Sequence, residues 1–443
     1  MPSTPAMYRV VARLGRGLAP ALALLSPKLA AGHRGRRDAA PRLCAWAQHS
    51  RDRSRALVWF HASSVGEGLQ AESVLLDLRR LLPEAQYVYT HYSSSAAALA
   101  RRLPVDVADY LPYDLPGPTE ALLEALEPSL IVFSKLDLWP ELATRAAARG
   151  VAVAMVAATV SPGSGRLRWP ARTMSRAGYG AVRLAAAVSD EDAARLARLG
   201  VGSDRIRVLG DPRFDSVVRL ISGVGPEEPL LRFGHGAPTM VAGSTWPGDE
   251  AVLLDAFSRL QAVRPDTRLI LVPHEPTPSH LEAVERSVLA AGLPAPVRLS
   301  AAAGPAPLLL VDRVGPLATL YGAGTMAYVG GGFGRAGLHS VLEPAAWGVP
   351  VVFGPRWGES RDAALLLEVG AAQALTRDGG TAGAELFDIW RGWVEREERR
   401  GAQGGRARSL VERGQGASGR SAEMLAEAIS SSRSLRTSPS AER

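Results

Sequence analysis

Ala56-Leu57-Val58-Trp59-Phe60 runs directly into His61-Ala62-Ser63-Ser64-Val65-Gly66-Glu67-Gly68-Leu69-Gln70-Ala71-Glu72. An uncharged apolar run of this length reads as a buried strand, and Ser73, Val74, Leu75, Leu76 and Leu78 continue with helical spacing. The join is therefore a strand-to-helix turn. Ser64-Val65-Gly66-Glu67 fits the S-x-x-E capping box, in which the glutamate reaches back to a free backbone N–H. Yet Gly66 and Gly68 flank that glutamate with the weakest common helix former. Two roles stay open for Glu67: a helix cap, or an acid–base group at the mouth of a sheet.

The same alternation extends outward from this turn. Apolar runs at 56–60, 86–90, 106–111, 130–133, 152–157, 185–188 and 206–209 are separated by longer amphipathic stretches. Alternation of this kind predicts a parallel α/β sheet. Gly223-Val224-Gly225-Pro226-Glu227-Glu228-Pro229 breaks the pattern and reads as an interdomain linker. A second series follows at 239–242, 268–272, 308–312, 326–329 and 350–353. A chain of 443 residues suits two domains. The expected layout is a basic N-terminal segment over 1–55, an α/β domain over 56–222, a second over 230–429, and a disordered polar tail over 430–443. Two such domains facing across a cleft would line it with their strand-end loops, because open parallel sheets bind ligands beyond the carboxyl ends of their strands.

Charge is concentrated at one end. The formal total is +7, but residues 1–56 hold eleven Arg and Lys against Asp38 and Asp52, which is +9 and leaves −2 for the rest. A nucleic-acid enzyme carries its charge along the binding groove of the folded body, so no nucleic-acid partner is expected. Residues 7–37 instead suit a basic amphipathic segment lying on an anionic membrane face. The alternative is a helix packed on the domain with its basic face solvated. No spanning helix is expected: the uncharged stretch between Arg16 and Lys28 is eleven residues long and contains Pro20 and Pro27, against the roughly 20 apolar residues a span needs. Cys44 is the sole cysteine, which rules out an intramolecular disulfide or a cysteine-cluster metal site and suits a reducing compartment.

The second half carries the strongest local signal. Tyr328-Val329 leads into Gly330-Gly331-Gly332-Phe333-Gly334-Arg335-Ala336-Gly337-Leu338-His339-Ser340-Val341-Leu342-Glu343-Pro344, a strand opening through glycines toward a helix. Such a turn lets a phosphate approach free backbone N–H groups. It is neither a dinucleotide fingerprint nor a Walker loop. Ser340 and Glu343 again satisfy S-x-x-E, so Glu343 is either a capping residue or an acceptor for ribose hydroxyls. Gly243-Ser244-Thr245-Trp246-Pro247-Gly248-Asp249-Glu250, Pro273-His274-Glu275-Pro276 and Asp312-Arg313-Val314-Gly315 follow other strands, and four convergent loops read as a nucleotide pocket. In the first half, Thr90-His91-Tyr92-Ser93-Ser94-Ser95 offers hydroxyls, Ser134-Lys135-Leu136-Asp137 a charge pair, and Asp211-Pro212-Arg213 a cation. For Lys135, Asp137 and Arg213 the plainer account is a surface ion pair, worth about 0–1 kcal/mol.

Taken in order, HASSVGEG, THYSSSA, YLPYDLPG, KLDLWPEL, GDPRFD, VAGSTWPGDE, LVPHEP and YVGGGFGRAGLHSVLEPAAWGVPVVFGP resemble the motif set of the 3-deoxy-D-manno-octulosonic acid (Kdo) transferases of Gram-negative bacteria, over most of the chain. The resemblance implies a GT-B architecture, two Rossmann-like α/β domains facing across a cleft. It implies CMP-Kdo as donor, bound by the second half, and a lipid A precursor, lipid IVA, as acceptor at the inner-membrane surface, bound by the first. It places the catalytic base on Glu67, with Lys135, Asp137 and Arg213 as catalytic partners. Cytidine-nucleotide contacts fall on Pro273, His274, Val314, Gly315, Pro316, Ser340, Val341, Leu342 and Glu343. Ser64, Thr90, Ser93 and Ser94 are the candidate acceptor contacts.

Departures from the family pattern are local. His274-Glu275 stands where many members have Arg-His, Leu338-His339-Ser340 where Gly-His-Asn is common, Lys135-Leu136-Asp137 where Glu-Thr-Glu is familiar, and Arg213 where lysine is usual. Transfer from a CMP ester needs a base for the acceptor hydroxyl and groups to hold one leaving phosphate. Backbone N–H groups and a helix dipole can hold a single phosphate, so no metal or cofactor is expected. Two competing readings are a UDP-sugar GT-B glycosyltransferase or epimerase, and a non-catalytic membrane-associated nucleotide binder.

Overall fold

The computed structural model describes residues 3–335, 337–376 and 379–437. Two compact units are present, one formed by Met1–Ser216 and the chain from Gln415 onward, the other by Val217–Gly414.

The first unit is a parallel sheet of β1 (Leu57–His61), β2 (Gln86–His91), β3 (Val107–Tyr110), β4 (Leu130–Ser134), β5 (Ala152–Ala158), β6 (Leu184–Ala187) and β7 (Ile206–Val208). Their order is β3-β2-β1-β4-β5-β6-β7. β1 lies between β2 and β4 and is buried along its whole length. Its alternate residues serve opposite faces. Leu57 and Trp59 join one hydrophobic cluster, Val58 and Phe60 another. A strand covered on both faces has no polar alternation, which is why this stretch is a continuous apolar run.

Helix Pro27–Ser50 packs on this unit through helix Pro116–Leu126 and β3, and its Ala40, Leu43 and Ala47 belong to the same hydrophobic cluster as Leu57 and Trp59. Helix Val65–Leu81 covers the other face with Ala71, Val74, Leu75 and Leu78, joined there by Met424, Leu425 and Ile429 of helix Ala417–Thr437.

Three expected boundaries change. Residues 1–55 are not a separate attachment segment, because helix Pro27–Ser50 is part of the first unit's core. Only helix Ala6–Ala23 lies on the outside, burying no residue and exposing Val10, Val11, Leu14, Leu18 and Leu22. The second domain does not run to 429, because Asp215 accepts backbone N–H bonds from Gly416 (2.6 Å) and Ser418 (2.9 Å) and ties the C-terminal helix to the first unit. That helix runs on to Thr437 through the start of the expected tail, and residues 438–443 lie outside the described residues.

The second unit is a parallel sheet of β8 (Thr239–Thr245), β9 (Arg268–Pro273), β10 (Val297–Arg298), β11 (Leu308–Leu310), β12 (Met326–Val329), β13 (Val351–Phe353) and β14 (Ala372–Ala374). Their order is β10-β11-β9-β8-β12-β13-β14. Met240, Leu253, Phe257, Leu271, Tyr328 and Trp390 centre its core. The twelve expected strands all occur, while the outermost strands β10 and β14 were not foreseen. β10 is Val-Arg and β14 Ala-Gln-Ala, so neither leaves a continuous apolar run in the sequence. Chain direction along the sheet reverses between β1 and β4 in the first unit and between β8 and β12 in the second. Ligands of open α/β sheets bind at such switch points, beyond the strand ends.

Candidate active site

Glu67 sits one turn into helix Val65–Leu81, directly beyond β1. The capping box is fully formed: Ser64 Oγ accepts from the Glu67 amide (3.4 Å), while Glu67 Oε2 accepts from the Ser64 amide (3.1 Å) and hydroxyl (2.9 Å). Only one carboxylate oxygen is used, and Oε1 has no hydrogen-bond partner among the described residues. Ser134 Oγ, at the end of β4, donates to the Glu67 carbonyl (3.0 Å), so the two strands at the switch point jointly hold this residue. The flanking glycines differ in purpose. A Cβ on Gly68 would lie 2.5 Å from Leu99 Cδ2 and 2.8 Å from Tyr89 Oη, whereas one on Gly66 would meet nothing within 4 Å. Gly68 lets the helix pack closely, and Gly66 leaves open space beside the carboxylate.

Lys135 and Asp137 follow β4. Lys135 adopts φ +57°, a left-handed conformation that costs a non-glycine residue about 1 kcal/mol or more. Its ammonium has no ion-pair partner among the described residues. Asp137 is buried and bonds Ser63; its Oδ2 lies 2.9 Å from His61 Nε2, but that nitrogen already accepts from Trp139 Nε1 (2.9 Å), so Oδ2 has no donor there. Arg213 is clamped by Asp211 through Nε (2.9 Å) and Nη2 (2.6 Å). Its helix, Pro212–Ser222, nevertheless returns to the Glu67 helix, where Ser216 Oγ donates to Leu69 O (3.2 Å).

Thr90 is a correction. Its hydroxyl is fully buried, accepts from Trp59 Nε1 (2.8 Å) and pairs with His61 Nδ1 (3.0 Å), so it cannot meet an acceptor. Ser64 is committed to the cap. Ser93 bonds Ser95 (2.7 Å), and Ser94 donates to Lys28 O (3.4 Å). Of the expected acceptor hydroxyls, these two keep partial exposure nearest the N-terminal helices.

In the second unit, the loops after β8 and β12 are tied together by Asp249. Its buried carboxylate accepts from Trp246 N (3.0 Å), Gly331 N (3.0 Å) and Tyr328 Oη (2.8 Å). Burial keeps that carboxyl above its usual range despite these donors. Gly331 has φ +97°, and a Cβ there would lie 2.0 Å from Gly337 O, so only glycine fits this turn.

The second S-x-x-E pattern behaves differently from the first. Helix Leu342–Ala346 starts after Val341 with no side-chain cap, so Ser340 and Glu343 form no capping box. Glu343's carboxylate has no partner among the described residues, and burial beside Tyr321 pushes it up to about 7. Pro273, Pro316, Val341 and Leu342 have buried side chains and can contribute only backbone, while His274, Val314, Gly315 and Ser340 are exposed. Trp246, Asp249 and His339 were not singled out from the sequence. Their signal was position alone, on loops that follow the two switch-point strands.

A family model described as 3-Deoxy-D-manno-octulosonic-acid transferase (kdotransferase) matches residues 37–216. The 3-deoxy-D-manno-octulosonic acid transferase of Bordetella pertussis is 33% identical over 354 residues, 75% of this chain and 76% of that protein. The enzyme of the same name from Chlamydophila psittaci is 29% identical over 72% of this chain and 75% of its own length. Among solved structures, UDP-GlcNAc 2-epimerase from Neisseria meningitidis superimposes with a TM-score of 0.60 over 85% of this chain and 100% of that one. At 12% identity that likeness is one of fold, two Rossmann-like α/β units of the GT-B class. By its identity to these relatives along most of its length, the chain belongs to the 3-deoxy-D-manno-octulosonic acid transferase family and is a glycosyltransferase.

Proposed function

We propose that the protein transfers Kdo from CMP-Kdo to a lipid A precursor, lipid IVA, in lipopolysaccharide biosynthesis, by an inverting single displacement with Glu67 as general base. Family membership supports Kdo transfer. The observation that carries the donor assignment is Glu343, a desolvated carboxylate without a protein partner beyond the switch point of the second unit. An acceptor withdrawn from water and left unsatisfied costs up to about 1–3 kcal/mol; Glu343 is half-buried, and the hydroxyls of a ribose would satisfy it. In the Gly330–Gly334 turn the amides of Gly330 and Gly331 are spent on Gly243 O and Asp249, so the amides from Gly332 to Gly334 are the ones left for the single phosphate. In the first unit, Glu67 spends one oxygen on the cap and keeps Oε1 for a proton, with the unpaired Lys135 and the buried Asp137 on the adjacent loop. Mass spectrometry of lipid A precursor incubated with protein and CMP-Kdo tests this directly. A mass increase of one or more Kdo units supports it. An unmodified acceptor, with thermal stabilisation by UDP rather than CMP, overturns it in favour of a UDP-sugar enzyme.

The same reading places the protein peripherally on the cytoplasmic face of the anionic inner membrane. No helix among the described residues is long and apolar enough to cross a membrane. Helix Ala6–Ala23 instead exposes Val10, Leu14, Leu18 and Leu22 together with Arg13 and Arg16. It is fastened to the first unit by Tyr8 donating to Asp114 (2.7 Å) and Arg9 pairing with Glu141 (2.8 Å). Because Pro27–Ser50 is core, point changes test the helix better than truncation. Leu14→Asp with Leu18→Asp, at side chains 61% exposed, should leave the melting temperature unchanged and lower binding to phosphatidylglycerol vesicles roughly tenfold. Salt should weaken binding of the parent in the same way. Equal co-sedimentation of parent and double variant at low salt sinks the assignment.

A further inference from the structure

Three rings from three strand-end loops stack in the second unit. Trp246 follows β8, His274 follows β9 and His339 lies in the loop after β12. The His274 and His339 centroids are 4.3 Å apart at 27°, and Trp246 lies 4.9 Å from His274 and 6.5 Å from His339. Trp246 Nε1 donates to His339 Nε2 at 3.1 Å. An indole N–H can only donate, so Nε2 must offer its lone pair and the ring proton must sit on Nδ1. His339 Nδ1 has no partner among the described residues. Asp249 holds this arrangement from behind, accepting from the Trp246 amide and, across the loop, from Gly331. Burial and the neighbouring His274 both lower the basicity of His339, so the ring stays neutral while its orientation is fixed on two sides.

We propose that His339 presents a neutral, tautomer-fixed Nδ1–H donor to the phosphate oxygens of the bound cytidine monophosphate moiety, and that Trp246 is the positioning residue that fixes the tautomer. This rests on the donor site assigned to the second unit. A neutral donor suits a leaving phosphate. It stabilises the charge that grows on the oxygens as the sugar departs, yet does not bind the ground-state diester as tightly as a cation would.

Nuclear magnetic resonance of the imidazole nitrogens in the full chain tests the tautomer, with His339→Ala identifying the signal. The expected result at pH 7 is an Nδ1-protonated neutral ring in the parent. Trp246→Phe keeps an aromatic face but removes the N–H, and should shift the ring toward the Nε2-protonated form and raise its pKa. Calorimetry then separates the ligand contact. His339→Ala should lose about tenfold in CMP affinity and none for cytidine, which lacks the phosphate. His339→Asn, whose amide can place a donor near the Nδ1 position, should recover most of the loss. An Nε2-protonated or cationic His339 in the parent overturns the proposal, as does an equal loss for CMP and cytidine. A parent that binds neither CMP nor cytidine fails the donor reading itself. A parent that binds CMP, with His339→Ala binding it equally well, fails this inference alone.

Discussion

Glu67→Gln should fold normally and transfer sugar roughly 10²–10⁴-fold more slowly, the range expected for loss of a general base. Glutamine preserves side-chain length, and its amide oxygen can still accept from the Ser64 amide and hydroxyl, as Oε2 does in the parent. Stability should therefore change by less than about 1 kcal/mol, the typical worth of an N-terminal cap. What glutamine cannot do is take a proton at neutral pH. Ser64→Ala is the complementary variant: it removes the cap and leaves the carboxylate, so it should lower the melting temperature by an amount equivalent to about 0.5–2 kcal/mol while turnover falls far less. CMP affinity should be unaffected in both, because the proposed nucleotide contacts lie in the second unit. Turnover of Glu67→Gln within tenfold of the parent, measured at steady state beside its melting curve, would reduce Glu67 to a structural cap.

Glu343→Ala should weaken CMP binding by about 1–3 kcal/mol, or roughly 5- to 150-fold, because ribose hydroxyls would lose a charged acceptor. The carboxyl's position at about 7 adds a pH signature. Its folded-state pKa is raised above the unfolded value, so the folded chain binds the proton more tightly between the two. The stability this gives is fully present below about 4.5, and is lost as pH rises through about 7. Glu343→Gln, which mimics the neutral form, should therefore gain thermal stability relative to the parent at pH 8 and show no such gain at pH 4. CMP affinity of the parent should fall as pH drops below about 7, since the ligand-accepting form is the ionised one, and that component should vanish in the glutamine variant. Unchanged CMP affinity in Glu343→Ala across this range would remove Glu343 from the nucleotide site.

These two glutamates share one sequence pattern and meet opposite fates. Ser64-Val65-Gly66-Glu67 forms its capping box because the helix begins at Val65, one residue after the serine. Ser340-Val341-Leu342-Glu343 does not, because the glycine turn delays the helix to Leu342, and Val341 takes the boundary position. A one-residue shift in helix start decides whether a glutamate is satisfied by its own backbone or left without a partner among the described residues. Nothing in the four letters distinguishes the cases. The turn that decides it depends on Gly331 meeting Gly337 and on Asp249 holding the Gly331 amide, contacts between different loops. Thr90 shows the same limit: a hydroxyl at a strand end reads as available, but Trp59 and His61 on the neighbouring strand already occupy it.

The sequence by itself determined the local matters: strand positions, the α/β alternation, the strand-end loops and the family. Each depends on periodicity or residue type within a short window, or on motifs in a fixed order. Tertiary structure alone decided which unit owns each end of the chain. The conspicuous charge of helix Pro27–Ser50 suggests an attachment segment, yet its Leu43 and Ala47 are buried in the same core cluster as Leu57 and Trp59. Helix Ala417–Thr437 crosses back to the first unit because Met424, Leu425 and Ile429 complete the cluster around Val58 and Phe60, and Asp215 satisfies the amides at its start. Burial is a property of surfaces that the fold brings together, near or far in sequence, and a linear pattern records that a face is apolar without recording which face it meets.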